Sequence, residues 1–427
     1  LNYGPAKRSA SYELSSLIIQ TQYLNTGSKL KDDLNKHRHQ LYKIMKNKYP
    51  TVPFAGGVSD NELLYRINTF LSSGYLNMSG SPGYPFTALY STNLELVSKA
   101  CDWLVACVLQ QLINWRDTPY VECEGLTPLE LYTRGICNLS RIFVKDEPHK
   151  LSKIEEGRFR LIISVSLIHS IASGVLYQEQ IDAEILSVDT VPSKPGMSLT
   201  DDGTENIWHF VSYFRDPESN DVRRWDFSVN YDLLMFEADL TIESRPCADP
   251  RYANMIRNET LALASTPLVT SDGQVLAQHR PGIVKSGGRK TAQGNSKMRF
   301  TLAATADLSF NPEVKEVHAM TMGDDCVEDG PSGFDDARSA LYQSWGLTLT
   351  GSKRGYPFDF CSHLFISPRV AVPTTWPRML YRLLSKGYDP LEYDGFLTEI
   401  RHLNRPHSTV SKDDVVRFLQ WVGWSVQ

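Results

Sequence analysis

Apolar and polar positions follow two different periods along the chain. Apolar residues recur at helical spacing through most of residues 1–50, 59–74 and 93–114, and again through the last sixty residues. Two stretches, residues 319–328 and 358–365, instead read as strand, short polar break, strand, which is typical of a β-hairpin. The pattern therefore predicts helices that surround a smaller set of hairpins.

The first predicted hairpin carries the candidate chemistry. Its sequence is Ala-Met-Thr-Met-Gly-Asp-Asp-Cys-Val-Glu, in which Gly323, Asp324 and Asp325 form the turn. Two carboxylates at one tip repel each other unless cations screen them. Mg²⁺ takes oxygen ligands and commonly uses one or two carboxylates together with substrate phosphates. A solvated Asp-Asp turn without function is the alternative, and other motifs must decide between the two.

Composition limits the class of protein. The 427 residues are 41% apolar and 11% aromatic, as expected of a folded globule with more than one lobe. The net charge of −5 means that nucleic-acid binding would need local basic surfaces. Seven cysteines without a Cys-x-x-Cys motif indicate neither a disulfide framework nor structural zinc, so a reducing compartment is expected. The most apolar stretches, 97–115 and 161–176, are interrupted or short, which predicts no transmembrane segment.

A second group of carboxylates lies around the start of a predicted helix that begins near Asp226. Asp221 and Asp226 are five residues apart across a strand-to-helix turn, so both can face one cleft. Asp232 on the same helix offers a competing Asp226/Asp232 pair. Spacing alone leaves both pairings open.

Basic residues accompany predicted strand residues between positions 141 and 162. Lys145, Arg158 and Arg160 lie there, and cations fixed on strands bind phosphate at a lower entropic cost than cations on a mobile tail. A strand surface with solvated charges is the alternative. We expect phosphate binding by these cations to be favoured at least as much as that alternative.

Two loops and a strand add polar groups. Residues 281–296 form a Gly/Ser-rich loop with Ser286 and Gly287 that runs into a helix, on which Thr291 and Asn295 share one face. Residues 81–86 enclose an aromatic between prolines and predict a stiff loop that could hold a single strand. Residues 346–350 predict a short strand, with Lys353 just past it. Each feature alone has an ordinary structural explanation.

In this order the motifs resemble those of RNA-dependent RNA polymerases of positive-strand RNA viruses, most closely the sobemovirus and polerovirus group, over residues 80–365. By that resemblance, Asp221 is a metal ligand and Asp226 reads the ribose, which favours this pair over Asp226/Asp232. Arg223 and Arg224 stand where the group typically has small residues. The resemblance assigns template contact to Ser81, Pro82 and Gly83, triphosphate binding to Lys145, Arg158 and Arg160, and nucleotide binding to Ser286, Gly287, Thr291 and Asn295. It assigns metal binding to Asp324 and Asp325, and the grip on the nascent 3′ end to Cys361, Ser362 and His363. Pyrophosphate protonation is assigned to Lys353, with Arg354 competing for that position.

The resemblance implies an α+β, closed right-hand polymerase with an antiparallel-sheet palm. Its expected parts are fingers at 1–215, palm at 216–257, a fingers–palm junction at 258–306, further palm at 307–365 and a small helical thumb at 366–427. Two Mg²⁺ ions about 3.5–4 Å apart, replaceable by Mn²⁺, would serve nucleotidyl transfer.

The implied partners are a single-stranded RNA template, nascent RNA, NTPs and other viral replication proteins. Initiation is either primer-independent or uses a protein primer, and the sequence leaves both open. The implied location is the host cytoplasm, in membrane-associated replication complexes. The rivals are a reverse transcriptase, a non-catalytic RNA-binding protein with the same fold, and a metal-dependent nuclease.

Overall fold

Helices and short strands alternate along residues 2–25, 27, 29–330 and 335–424, the part of the chain that the computed structural model describes. The first half contains β1 (Tyr3–Gly4), α1 (Ala10–Thr21), α2 (Lys29–Lys48), α3 (Asp60–Ser72), α4 (Asn93–Asp117), α5 (Tyr120–Cys123), α6 (Pro128–Thr133), β2 (Ser140–Val144), β3 (His149–Lys150), α7 (Leu151–Glu155), β4 (Leu161–Ser164), α8 (Leu167–Leu186) and α9 (Asp201–Ser212). The second half contains β5 (Pro217–Val222), α10 (Trp225–Ser228), α11 (Tyr231–Ser244), α12 (Arg251–Ser265), β6 (Leu268–Val269), β7 (Val275–Leu276), α13 (Thr291–Phe310), β8 (Ala319–Met322), β9 (Asp325–Asp329), α14 (Asp335–Ser344), β10 (Leu349–Arg354), β11 (Phe358–Phe360), β12 (His363–Ser367), β13 (Val370–Pro373), α15 (Trp376–Ser385), α16 (Pro390–Glu399) and α17 (Lys412–Trp421).

An antiparallel sheet of order β10-β5-β9-β8 lies at the centre. Side chains alternate across it as the pleat requires. Val222 and Cys326 pack on one side in a core cluster that contains residues of α2, α11 and α13. Met320 and Val327 pack on the other side with Phe358 and residues of α9. Both faces are thus buried, and strand register fixes which side chains reach the strand ends.

Strands β11, β12 and β13 form a separate three-stranded sheet, and other elements form three further packed groups. Helices α3, α4, α8 and α12 share one core cluster. Strands β4, β2, β6 and β7 form a second sheet, in which β2 and β6 run parallel. Helices α15, α16 and α17 have a small core of their own. The mixture of helices and antiparallel hairpins is α+β, as predicted.

Helix α4 is, within the described residues, the one helix long and apolar enough to cross a membrane by length and composition. Its Leu104, Val108 and Leu112 are fully buried. They belong to the core cluster shared with α3, α8 and α12. The apolar face of α4 therefore serves packing within the protein.

The single helix predicted from Asp226 onward is wrong, because two helices occupy this stretch. Helix α10 ends at Ser228, and α11 begins after Asn230, whose side chain caps it by accepting a bond from the Leu233 N–H at 3.1 Å. The Val229 carbonyl accepts a hydrogen bond from the Ile283 N–H, which lies far along the chain. A long-range contact thus interrupts the helical pattern.

The strand predicted at residues 346–350 also has the wrong limits. Strand β10 begins at Leu349 and continues through Lys353 and Arg354, which pair with Ser219 and Glu218 of β5. Lys353 therefore lies within the central sheet and not beyond it. The partner strand, which the local sequence does not reveal, extends the pairing.

Candidate active site

Strand register brings together the three aspartates that the sequence singled out. Asn220 of β5 pairs with Cys326 of β9, so the next residues, Asp221 and Asp325, face each other across the strands. Met322 pairs with Asp325 and leaves Gly323 and Asp324 as a two-residue turn. Gly323 has a φ of 64°, the positive value that the first position of a type II′ turn requires. The predicted hairpin is confirmed, but its turn is shorter than predicted, because Asp325 pairs with Met322 and lies in β9.

Burial and neighbouring carboxylates disfavour the charged forms of Asp221 and Asp325. Burial, together with Asp324 and Asp325, raises the pKa of Asp221 to about 7. Burial and Asp324 raise the pKa of Asp325 to about 6, although hydrogen bonds from Cys361 act in the opposite direction. The Oδ1 atom of Asp221 is buried and has no hydrogen-bond partner among the described residues. A cation placed here would relieve both the repulsion and the unpaired oxygen.

The donor set fits a hard divalent ion such as Mg²⁺, because every candidate ligand is a carboxylate oxygen. Within the described ranges, no three His, Cys, Asp or Glu side chains already converge as a metal cage. Water and substrate phosphates would have to complete the shell of such an ion. Metal binding at Asp221, Asp324 and Asp325 stays a prediction.

Helix α13 fixes the turn from behind through Ser296, a residue that the sequence argument did not assign. The Gly323 N–H donates to Ser296 Oγ at 2.9 Å, and Thr321 Oγ1 donates to the Ser296 carbonyl, also at 2.9 Å. Ser296 is fully buried. The sequence pointed to Ser296 only through its position directly after Asn295. The hydrogen bond to Gly323 is visible only in the folded structure.

Asp226 lies in the same electrostatic neighbourhood. Burial and Asp324 raise its pKa to about 6, whereas Arg160 acts to lower it. Asp232 instead forms a partly exposed ion pair with Lys31 at 3.6 Å. The structure therefore groups Asp226, and not Asp232, with the aspartate turn.

The two arginines between Asp221 and Asp226 are accommodated by the N-terminal segment. Arg224 adopts a left-handed φ of 54°. Its guanidinium lies 3.5 Å from the centre of the Tyr23 ring, and that of Arg223 lies 5.3 Å away. The bulky residues thus point at Tyr23 while Asp226 keeps its place near Asp324.

The Gly/Ser loop docks on strand β4. The Ile163 N–H donates to Ser286 Oγ at 3.1 Å, and the Gly287 N–H donates to the Ile163 carbonyl at 2.9 Å. A Cβ atom at Gly287 would approach that carbonyl to 2.5 Å, so only glycine fits. This docking makes the loop an anchored element of the site.

Thr291 and Asn295 line one small cavity between helices α11, α12 and α13, as their shared face predicted. Thr291 Oγ1 donates to the Lys285 carbonyl at 3.0 Å, which ties the helix start to the loop. Asn295 Oδ1 is buried and has no partner among the described residues. Asn295 thus keeps an acceptor available, and its ribose contact stays a prediction.

The predicted phosphate-binding cations lie in a connected loop region. Lys145 follows β2 directly, and Arg158 and Arg160 precede β4, so none lies inside a strand. The Lys145 N–H donates to the Arg160 carbonyl at 2.8 Å, which joins the two segments. Arg158 pairs with Glu156 at 2.8 Å.

Lys353 and Arg354 have different partners. Arg354 is paired with Asp216 and with Glu218, both at the start of β5 or just before it. Lys353 Nζ contacts the Asp359 carboxylate at 2.9 Å and is partly exposed. The two ion pairs of Arg354 stabilise the edge of the central sheet. Of Lys353 and Arg354, Lys353 therefore stays the candidate proton donor to pyrophosphate.

The second hairpin contacts the first. Cys361 and Ser362 form the turn between β11 and β12, both with positive φ, and Cys361 donates hydrogen bonds to Asp325. His363 pairs with Pro373 of β13. The predicted hairpin is confirmed, and its turn touches one of the three aspartates.

The stiff loop at Ser81, Pro82 and Gly83 lies on the segment that follows β4. The Leu167 N–H donates to the Pro82 carbonyl at 2.9 Å. A Cβ atom at Gly83 would come within 2.6 Å of the Val165 carbonyl. The loop is therefore packed tightly, while its contact with RNA stays a prediction.

The raised carboxylate pKa values predict a pH-dependent instability of the metal-free protein. Unfolded aspartates titrate near 3.9, so between about pH 4 and pH 7 the folded state binds more protons and stability falls as pH rises. Asp221→Asn should raise the free energy of unfolding by on the order of 2 kcal/mol at pH 8, and by less at pH 5. Urea denaturation in EDTA measures this, and an equal gain at both pH values would contradict it.

The bond between helix α13 and the turn predicts a cost for Ser296→Ala. Loss of the acceptor for the Gly323 N–H should destabilise the protein by about 1 kcal/mol. Ser309→Ala is the matched control, because both serines also donate to the carbonyl four residues earlier in α13. Equal denaturation midpoints for the two variants would show that the bond to the turn contributes nothing.

The chain is similar in sequence to several known proteins. A family model described as viral RNA-directed RNA polymerase matches residues 23–215 and 240–367. The chain is 31% identical over 411 residues to the replicase polyprotein P2AB of Southern cowpea mosaic virus, which covers 91% of the chain and 40% of the polyprotein. It is 34% identical over 284 residues to protein P1-P2 of Potato leafroll virus, over 62% of the chain and 25% of that protein. The chain thus spans less than half the length of these two relatives.

Two further comparisons involve proteins of similar size. The RNA-directed RNA polymerase of Mushroom bacilliform virus is 29% identical over 355 residues, which cover 79% of the chain and 82% of that enzyme. A solved Sicinivirus 3Dpol RNA-dependent RNA polymerase superposes with a TM-score of 0.60 at 15% identity, over 89% of this chain and 84% of that one. The latter confirms the polymerase fold. The chain therefore belongs to the viral RNA-directed RNA polymerases, in the sobemo-like group.

Proposed function

We propose that this chain transfers nucleotides from NTPs to the 3′-hydroxyl of RNA, directed by an RNA template, for replication and transcription of a viral genome. The observation that carries the proposal is that strand register places Asp221, Asp324 and Asp325 at adjoining strand ends. Family membership supports the reaction class.

Each group of residues has a place in this reaction. Mg²⁺ held by Asp221 and Asp324, with Asp325 in support, would supply Lewis acidity for the attacking 3′-hydroxyl and for the leaving pyrophosphate; Mn²⁺ could replace it. Asp226 and Asn295 offer hydrogen-bonding groups for the ribose 2′-hydroxyl, which distinguishes RNA from DNA. Lys353 would donate a proton to pyrophosphate.

The remaining predicted residues contact the substrates. Lys145, Arg158 and Arg160 would bind the triphosphate, and Ser286 and Gly287 would form a loop beside the incoming nucleotide. The template would pass Ser81, Pro82 and Gly83. The nascent strand would rest on Cys361, Ser362 and His363, whose hairpin contacts Asp325.

The wider setting of the reaction is part of the same proposal. The Southern cowpea mosaic virus and Potato leafroll virus relatives are longer proteins of which this chain matches a part. We propose that the enzyme acts in the host cytoplasm, in membrane-associated complexes with other viral replication proteins, and that initiation can involve a protein primer.

RNA synthesis on a single-stranded RNA template tests the function. Asp324→Asn keeps the side-chain size but removes a charge, and should lower kcat by at least about a hundredfold. The matched control is Asp336→Asn, an exposed position on helix α14 that should retain wild-type activity.

Other outcomes support the rival functions. Extension with deoxyribonucleotides on an RNA template would support a reverse transcriptase. Loss of labelled RNA without extension would support a nuclease. RNA binding without synthesis under Mg²⁺ or Mn²⁺ would support a non-catalytic protein.

Ribose selection tests the assignment of Asp226. Asp226→Ala should lower the preference for ribonucleotides over deoxyribonucleotides by about tenfold, because a hydrogen-bonding group for the 2′-hydroxyl is lost. Asp232→Ala removes the rival carboxylate, which pairs with Lys31, and should leave the preference unchanged. The opposite ranking of the two variants would reject the assignment.

A further inference from the structure

One carboxylate, that of Glu147, is shared by three cations from distant parts of the chain. Its oxygens lie 3.0 Å from Lys145 Nζ, 3.7 Å from Arg160 Nη1 and 2.7 Å from Arg378 Nη2. Lys145 and Arg160 are predicted triphosphate ligands. Arg378 lies on helix α15, beyond the residues that the family model matches.

The contact is more than an ordinary surface ion pair. The Glu147 side chain is only 13% exposed, and its three cationic neighbours hold its pKa below the usual value despite burial. Backbone bonds join Glu147 to Lys145 and Lys145 to Arg160. The carboxylate is therefore held at a defined point between the cations.

Helix α15 makes a second contact near Glu147, through Tyr381. The ring centres of Tyr381, one turn after Arg378, and Tyr3 lie 6.4 Å apart. Strand β1, which carries Tyr3, pairs with β3, where Tyr3 faces Lys150. Arg378 is thus held beside the loop by neighbouring structure.

Positive charge remains in excess around Glu147. The pKa of Lys153 is lowered by burial and by four nearby cations: Arg158, Lys150, Arg378 and Arg160. Arg160 also acts on the pKa of Asp226, so this charge extends toward the aspartate turn. The three cations that share the Glu147 carboxylate match a polyphosphate, which arginine binds through paired N–H donors.

We propose that Arg378 is a further ligand for the triphosphate, and that Glu147 occupies the position of a phosphate until the triphosphate displaces it. The inference rests on the proposed function in that it assigns the triphosphate to an incoming NTP. Glu147 keeps the cations placed and partly neutralised in the free protein, and it competes with the substrate for Lys145, Arg160 and Arg378.

Binding of inorganic tripolyphosphate tests this without requiring catalysis. By calorimetry, Glu147→Gln should bind it about fivefold more tightly than wild type, and Arg378→Gln about fivefold more weakly. Arg378→Lys, which keeps the charge, should recover part of the loss and exclude misfolding as its cause.

Two matched controls accompany these variants. Asp146→Asn removes the neighbouring, exposed carboxylate that pairs with Arg8, and Arg417→Gln removes an exposed arginine of helix α17 that pairs with Asp414. Both should leave tripolyphosphate affinity unchanged. Unchanged or weaker binding by Glu147→Gln, or equal affinities for Arg378→Gln and Arg417→Gln, would overturn the proposal.

Two further measurements distinguish triphosphate binding from RNA binding and from catalysis. In RNA synthesis, Glu147→Gln should lower KM for NTP and Arg378→Gln should raise it, with smaller changes in kcat. A short RNA without a 5′-triphosphate should bind all variants alike; if RNA affinity responds instead of tripolyphosphate affinity, these cations serve the RNA backbone and the triphosphate assignment is wrong. An inactive wild type with the expected tripolyphosphate ranking would reject the polymerase function but not the polyphosphate site.

Discussion

Repulsion among three carboxylates, held close by strand register, is the constraint on which the site depends. Asp221 and Asp325 face each other because Asn220 pairs with Cys326, and Asp324 follows in the turn. A slip of one residue would turn every side chain of β5 to the opposite face. The burial of Val222 and Cys326 on one side and of Val327 on the other opposes such a slip. The apolar core thus keeps together groups that electrostatics would separate.

A buried polar network under the sheet reinforces the same register. The Glu328 carboxylate accepts a bond from Asn220 Nδ2 at 2.7 Å and lies 3.7 Å from Arg299 and 3.6 Å from Arg338. These side chains are almost fully buried, and the two arginines lower the pKa of Glu328 against its burial. Buried ion pairs often add little stability, since desolvation offsets their attraction, but mispairing would leave charges uncompensated. The network therefore penalises alternative strand pairings beside the aspartates.

Local sequence predicted the parts of the site that local structure determines. The hairpin around Asp324 followed from apolar residues on both sides of a Gly-Asp-Asp break, and the Cys361 turn followed from alternating apolar and polar residues. The limits of β10 did not, because pairing with β5 extends the strand through Lys353. The break before α11 depends on contact between Val229 and Ile283, more than fifty residues later. Ser296 and Arg378 contact residues far along the chain, and the spacing of residues in the sequence does not reveal these contacts.

The boundaries proposed for fingers, palm and thumb stay predictions.

A cation bound at Asp221, Asp324 and Asp325 should relieve the repulsion among them. Thermal unfolding at neutral pH during titration with Mg²⁺ or Mn²⁺ tests this most directly, because an ion that binds only the folded state raises the unfolding midpoint by mass action. We expect a concentration-dependent rise in the midpoint for wild type and little or none for the Asp221→Asn/Asp324→Asn double variant. An equal rise in both proteins would place the cation elsewhere and show that these aspartates do not hold it.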